Sequence, residues 1–235
     1  MPSPLTIVTG FTADCHAWAN PLAITQDEWA ANHGYKIDRV HFLPLYGRHQ
    51  AWAKLAHLYA QAITPPAGRW LLWLDADVMI TAPARPLESY IDLPSVSPYF
   101  VIATRDQNGF NSGVFALKTG RPAAKLLLNA WLDKDARRHQ YGEQEAISRQ
   151  LSRDPECVRW VEKTTINAYP ADWRPGDLLV HFPGAPDKAA AAAAFITEHQ
   201  EELKKKWPLP ANQSPATSST GHTSASHHSS NRAPA

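Results

Sequence analysis

The chain has 235 residues, 44% hydrophobic and 19% charged, with a formal net charge of +1. That length supports one sizeable α/β core and hardly a second, and near-neutral charge argues against a general nucleic-acid binder, whose affinity rests on many phosphate contacts. Two cysteines, Cys15 and Cys157, form neither a disulfide framework nor a metal spacing, so a reduced, cytoplasmic protein is expected. No run approaches the ~20 apolar residues of a membrane span. The N-terminus lacks the basic and long apolar regions of a signal peptide.

In chain order, Leu5 to Gly10 reads as a first strand ending in Thr9-Gly10, which is either a plain turn or a point of nucleotide contact. Residues 22–33 carry helical spacing and stop at Asn32-His33-Gly34. Lys36 to Leu45 alternates loosely as a second strand. Residues 52–63 form an amphipathic helix with Leu55, Leu58, Tyr59 and Ala62 on one face. Pro65-Pro66 stops it. Trp70 to Leu74 is wholly apolar and reads as a strand buried on both faces. Strand, helix, strand, helix, strand implies a parallel sheet with right-handed crossovers.

That apolar strand runs into Asp75-Ala76-Asp77. If the strand continues through Ile80, both carboxylates point to one side. If it ends, both sit at its carboxyl end, where open α/β sheets bind ligands. Such a pair resists desolvation unless something positive joins it. A divalent cation suits hard oxygen ligands; the bland alternative is a solvated turn. A phosphatase of the haloacid dehalogenase type would carry Thr or Val where Met79 stands.

Further on, a short helix near Leu87 to Ile91 leads to a strand at 99–104. Residues 105–113 read as a polar, glycine-containing loop that feeds an apolar strand to Leu117. Asn111 between two glycines suits a backbone close to a ligand, or simply a turn. Helices are expected over 121–138 and from Glu143 to about Leu151, the second with an acidic first turn that complements the helix dipole. Strands follow at 157–161 and 177–184, the latter ending in His181-Phe182-Pro183-Gly184. An alanine-rich helix spans 188–207 and ends in Lys204-Lys205-Lys206-Trp207. The lysines complement the helix end, with peripheral contact to an anionic membrane as the second reading. Residues 208–235 lack large apolar side chains and are expected to be a disordered tail after a domain spanning 1–207.

Five ordered pieces together resemble the family 34 glycosyltransferases, the galactosyl, mannosyl and xylosyl transferases. They are Trp52-Ala53-Lys54, the Trp70–Ile80 strand with its Asp-x-Asp, Asn108 to Phe115, Glu143-Gln144, and His181-Phe182-Pro183-Gly184. The resemblance implies a GT-A fold: one Rossmann-like, mostly parallel sheet flanked by helices. It implies that Asp75, Asp77 and His181 hold Mn²⁺ or Mg²⁺, that the two aspartates also meet the diphosphate, with Asp75 near the ribose, and that Lys54 approaches the nucleotide sugar; Thr9, Gly10, Gly184 and Lys188 are the further candidates to bind it. It implies that Asn111, Gln144 and Glu143 face the transferred sugar. Where the family often has a Lys two residues after that Gly, this chain has Pro186, with Lys188 two further on.

The function so implied is metal-dependent, retaining transfer of a hexose or pentose from a nucleotide sugar to a glycan or other hydroxyl acceptor. Galactose is the favoured sugar, and a UDP-sugar is favoured over a GDP-sugar. The chain shows no anchor of the Golgi type, which suggests a bacterial-type cytosolic enzyme. The rival functions are a metal-dependent phosphohydrolase and a non-catalytic nucleotide- or sugar-binding module.

Overall fold

The structure, a computed structural model, describes residues 5–43, 45 and 47–206. Its central sheet has six strands in the order β2-β1-β3-β6-β5-β7. These are β1 (Leu5–Phe11), β2 (Lys36–His41), β3 (Trp70–Asp75), β5 (Val101–Asp106), β6 (Gly109–Lys118) and β7 (Val158–Val161). Five run the same way and β6 runs antiparallel between β3 and β5. The sheet is therefore mixed and mostly parallel.

β3 shows why the apolar run is where the core forms. Leu71 and Trp73 pack on one face with Leu55 and Leu58 of α2 (Ala53–Ile63) and Leu127 of α3 (Arg121–Leu132). Trp70, Leu72 and Leu74 pack on the other with Trp29 and Ala30 of α1 (His16–His33). Alternate side chains feed opposite cores, as a strand covered on both faces requires. β2 lies on one side of β1 and β3 on the other. The chain thus reverses its winding between β1 and β3, and the carboxyl ends of those two strands form the crevice where such sheets take ligands. Gly10 and Asp75 are paired across it.

Several elements depart from expectation. The strand does not continue through Ile80: it breaks in a turn at Ala76-Asp77. β4 (Val78–Ile80) then pairs antiparallel with β8 (Leu179–His181) in a separate two-stranded sheet. Residues 105–113 are a hairpin rather than a loop. Asp106 pairs with Gly109, the Asp106 side chain accepts from the Asn108 N–H at 2.7 Å, and Gly109 takes φ +95°. α1 begins at His16 and contains Pro21. The expected 121–138 helix ends at Leu132, and Asp133 caps the turn that follows by accepting from the N–H groups of Asp135 and Ala136.

α4 (Gly142–Arg153) follows, then α5 (Lys163–Ile166). The final helix divides at His199 into α6 (Lys188–Glu198) and α7 (Gln200–Lys206). Phe195 and Leu203 of this pair join Met79, Val180 and Phe182 in a third core that carries the small sheet. None of the described helices is long and apolar enough to cross a membrane. Lys204 and Lys205 pair with Glu201 and Glu202. Trp207 and the tail expected over 208–235 lie outside the described residues.

Candidate functional site

The turn after β3 sets the site. It puts Asp75 at the end of the main sheet and Asp77 at the start of the small one, where Val78 pairs with His181. Donor atoms of Asp75, Asp77 and His181 all lie within 4.8 Å of one another, and no other group of three such residues occurs among the described residues. Two carboxylates and one imidazole are a donor set that suits a hard or borderline divalent cation. Room for it is secured from behind: a Cβ on Gly113 would sit 2.1 Å from His181 Cε1. The imidazole thus occupies the space that any larger residue at 113 would take.

The two aspartates differ. Asp77 Oδ1 lies 3.2 Å from His181 Nε2, and Asp77 Oδ2 accepts from Lys188 Nζ at 2.5 Å. Burial pushes the Asp77 carboxyl up, but the His181 and Lys188 charges outweigh it and hold the group well below the usual carboxylate range. Lys188 also donates to the Phe182 carbonyl. Lys188, the first residue of α6, thus stands beside Asp77, two positions after Pro186. Asp75 instead accepts from Lys54 Nζ at 2.9 Å and from Trp73 Nε1–H at 2.6 Å. Burial dominates here and raises its carboxyl above the ordinary value despite Lys54.

Lys54 is only 3% exposed. Its ammonium also reaches Glu143 at 3.4 Å, the Ser112 carbonyl at 2.9 Å and the Ser112 hydroxyl at 3.2 Å. Burial works against that charge, yet Asp75 and Glu143 prevail and its pKa is raised. Glu143 is thereby committed to Lys54 and Ser112. Gln144 accepts from the Ser112 N–H through Oε1 at 3.0 Å, which leaves its NH₂ group to the adjoining cleft.

Three spaces meet at this centre. One of about 460 Å³ lies before Asp75, Asp77, His181 and Gln144. A smaller one of about 190 Å³ lies along the β1–β3 crevice, against Gly10, Phe42 and Trp73. A third of about 640 Å³ extends past Asn111 and Gln144 to Tyr169 and Phe182. Gly184, at φ +68°, lines both large spaces. Gly10 has no room for a Cβ, which would lie 2.6 Å from the Phe42 ring.

Two expected site residues are placed otherwise than expected. Thr9 is completely buried in the central strand β1, and its hydroxyl has no partner among the described residues, so burial keeps it from the crevice that Gly10 lines. Asn111 lies beside the cleft but is 5% exposed, with its amide spent internally: it donates to Asp106 and Tyr169 and accepts from Gly113 and Asn167. Asn167, Asp106, Tyr169 and Ser112 were not singled out by sequence reasoning. Tyr169-Pro170 and the Asn-x-Tyr spacing were the visible hints.

The Asp106 carboxylate anchors this group. Burial raises it, but hydrogen bonds from Tyr169, Asn111 and the Asn108 backbone prevail and hold it below its ordinary 3.8. A depressed carboxyl stabilises the fold above its unfolded value, and that contribution is lost as pH falls through the folded one. Acid unfolding followed by circular dichroism is therefore expected to depend less steeply on pH below about pH 4 in Asp106→Asn than in wild type. Identical slopes would sink this assignment.

Residues 86–191 match the galactosyl transferase GMA12/MNN10 family. The match covers a little under half of the chain, which is similar to that family there. MNN10 of Saccharomyces cerevisiae, a probable alpha-1,6-mannosyltransferase, is 27% identical over 154 residues, covering 52% of this chain and 39% of its own. The chain thus spans about two fifths of the length of that relative. A glycosyltransferase involved in glycosylation of the major capsid of PBCV-1 superposes with a TM-score of 0.69 at 19% identity, over 82% of this chain and 98% of its own. The galactosyltransferase LgtC, solved with donor and acceptor sugar analogs, superposes with a TM-score of 0.53 at 17% identity, over 87% and 97%. These likenesses show the GT-A glycosyltransferase fold.

Proposed function

We propose that this protein is a metal-dependent, retaining glycosyltransferase that moves a sugar from a nucleotide-sugar donor to a saccharide hydroxyl. The carrying observation is the convergence of Asp75, Asp77 and His181 at the carboxyl ends of β1 and β3, between two clefts. A divalent cation bound there, Mn²⁺ or Mg²⁺, would act as a Lewis acid on the diphosphate leaving group, for several kcal/mol. Galactose is the favoured sugar and UDP the favoured nucleotide. A family described as galactosyl transferases supports the first, and the mannosyltransferase relative makes mannose the competitor.

The chain's own residues supply the rest. The small space against Phe42 and Trp73 is flat and aromatic, which suits a base beside Gly10. Lys54 holds Asp75 on the cation side of the crevice. Lys188 brings a positive charge next to Asp77, where the diphosphate would lie. Gln144 faces the sugar and donates to it. Because Glu143 is paired with Lys54, it is not presented as a free nucleophile among the described residues, which supports front-face attack by the acceptor. The space bordered by Tyr141, Tyr169 and Phe182 is the acceptor side, since aromatic faces suit sugars.

The test is thermal unfolding with UDP or GDP, with and without Mn²⁺. At a hundred-fold excess over Kd a ligand specific to the folded state stabilises it by about 2.7 kcal/mol. UDP is expected to raise the melting temperature only when Mn²⁺ is present, and a panel of nucleotide sugars is expected to show slow Mn²⁺-dependent hydrolysis of one. Stabilisation by a nucleotide without hydrolysis of any nucleotide sugar would favour the non-catalytic binding module. Release of phosphate from simple phosphomonoesters would favour the phosphohydrolase.

A further inference from the structure

We infer that Asn167 is a positioning residue that fixes the tautomer and aim of His181, and that Asn111 acts through it rather than on the sugar. The inference rests on the reading of His181 as a cation ligand. It starts from a group whose role is unambiguous. The Gly113 N–H can only donate, and it points at Asn111 Oδ1, 2.9 Å away. Asn111 therefore presents its oxygen there and its nitrogen on the opposite side. That nitrogen meets Asp106 Oδ2 at 3.0 Å and the Tyr169 hydroxyl at 2.8 Å. Tyr169 itself donates to Asp106 Oδ2 at 2.6 Å. Both ends of the Asn111 amide are pinned.

The next step follows. Asn167 has one terminal atom 2.9 Å from Asn111 Oδ1 and 3.0 Å from Thr104 Oγ1. Facing an acceptor, it is the nitrogen. The Asn167 oxygen then faces His181 Nδ1 at 2.8 Å, so that ring nitrogen carries a proton. In the neutral imidazole the other nitrogen, Nε2, is left with its lone pair directed at Asp77 Oδ1, 3.2 Å away. What joins two such lone pairs is a cation, either a proton on Nε2 or a metal ion in its place. The reverse arrangement would set two acceptors together at Asn167 or leave the Gly113 N–H unpaired. Asn167, Thr104, Asn111 and His181 are all 5% exposed or less, so bulk water does not relieve it. Outer residues that hold a ligating histidine in this way set metal affinity.

The experiment uses the full chain and reads Mn²⁺ binding by electron paramagnetic resonance of the free ion, together with long-range ¹H–¹⁵N correlation spectra of the metal-free protein at a pH where the imidazole is neutral. Wild type is expected to show His181 as the Nδ1–H tautomer. Asn167→Leu is expected to bind Mn²⁺ about 10- to 100-fold more weakly and to shift His181 toward the Nε2–H form. Asn167→Asp, which still offers an acceptor to Nδ1–H but loses its donor to Asn111, is expected to retain the wild-type tautomer and to bind Mn²⁺ more tightly than Asn167→Leu. An Nε2–H tautomer in wild type overturns the inference without any variant. So does wild-type Mn²⁺ affinity in a folded Asn167→Leu. If wild type shows the Nδ1–H tautomer but binds no Mn²⁺, the proposed metal-dependent activity fails and the orientation of His181 stands.

Discussion

Asn in place of Asp77 is expected to abolish Mn²⁺ binding and sugar transfer while leaving the protein folded. The substitution keeps the shape of the side chain and removes one of two anionic ligands. The Asp77 carbonyl still accepts from the Phe182 N–H at 3.0 Å, so the junction between the turn and the small sheet is retained. Transition-state stabilisation of several kcal/mol depends on the cation, and each 1.36 kcal/mol is tenfold in rate. A loss of about a thousand-fold or more in transfer follows. The stability cost is smaller. Lys188 is partly exposed and keeps its bond to the Phe182 carbonyl, so about 1–3 kcal/mol is expected from the lost charge-assisted bond. Nucleotide release, Mn²⁺ titration and thermal unfolding measure the three quantities. Undiminished transfer in this variant would remove Asp77 from the mechanism.

What the sequence revealed of this site divides by range. β3 was legible because Trp70 to Leu74 are all apolar, and a strand covered on both faces requires no more than that. Its termination was legible only as an alternative: nothing in Asp75-Ala76-Asp77-Val78 says that Val78 to Ile80 leave the main sheet. That outcome depends on β8, a hundred residues away in the chain, offering an edge to pair with. The hairpin at 106–109 had a local signal, Asn108-Gly109 after an acidic residue, that a reading of the segment as polar loop passed over. Lys54 also carried its own cue. It sits four residues before Leu58 and eight before Ala62, on the apolar stripe of α2, so its charge is carried inward. The relay through Asn111 and Asn167 had no such cue. Its bonds from Asn167 to Asn111 and Thr104, and from Tyr169 to Asn111 and Asp106, join residues 56 to 63 positions apart, and neither hydrophobic period nor turn chemistry reaches that far. Thr9 was misplaced for a related reason. A strand end looks exposed in sequence, but β1 is central and Thr9 is covered on both faces.

Lys54→Met is expected to be the most destabilising single change at the site. The ammonium is the shared partner of Asp75 and Glu143 and donates to Ser112 twice. Met matches the length of the stem and fills its space, so the packing of α2 against Trp73 survives. What is lost is charge: two carboxylates, Asp75 partly exposed and Glu143 nearly buried, lose the cation they share. Removing one partner of a buried ion pair costs about 3–5 kcal/mol. For a chain of this size that lowers the melting temperature by roughly 10 °C. The cause is separable from a generic packing defect in two ways. Adding Glu143→Gln to Lys54→Met removes one of the stranded charges and is expected to recover part of the loss, although it adds a second substitution. The pH dependence gives the other. A lysine with a raised pKa stabilises the fold fully below its unfolded value of 10.5, and that contribution is lost as pH rises through the higher folded value. Above pH 10.5 the wild-type melting temperature is therefore expected to fall more steeply than that of Lys54→Met. Parallel curves, or a variant as stable as wild type at pH 7, would mean that Asp75 and Glu143 do not need the ammonium. In that case Lys54 would be held in place by Ser112 and the Trp73 ring, 5.1 Å away, rather than by the carboxylates.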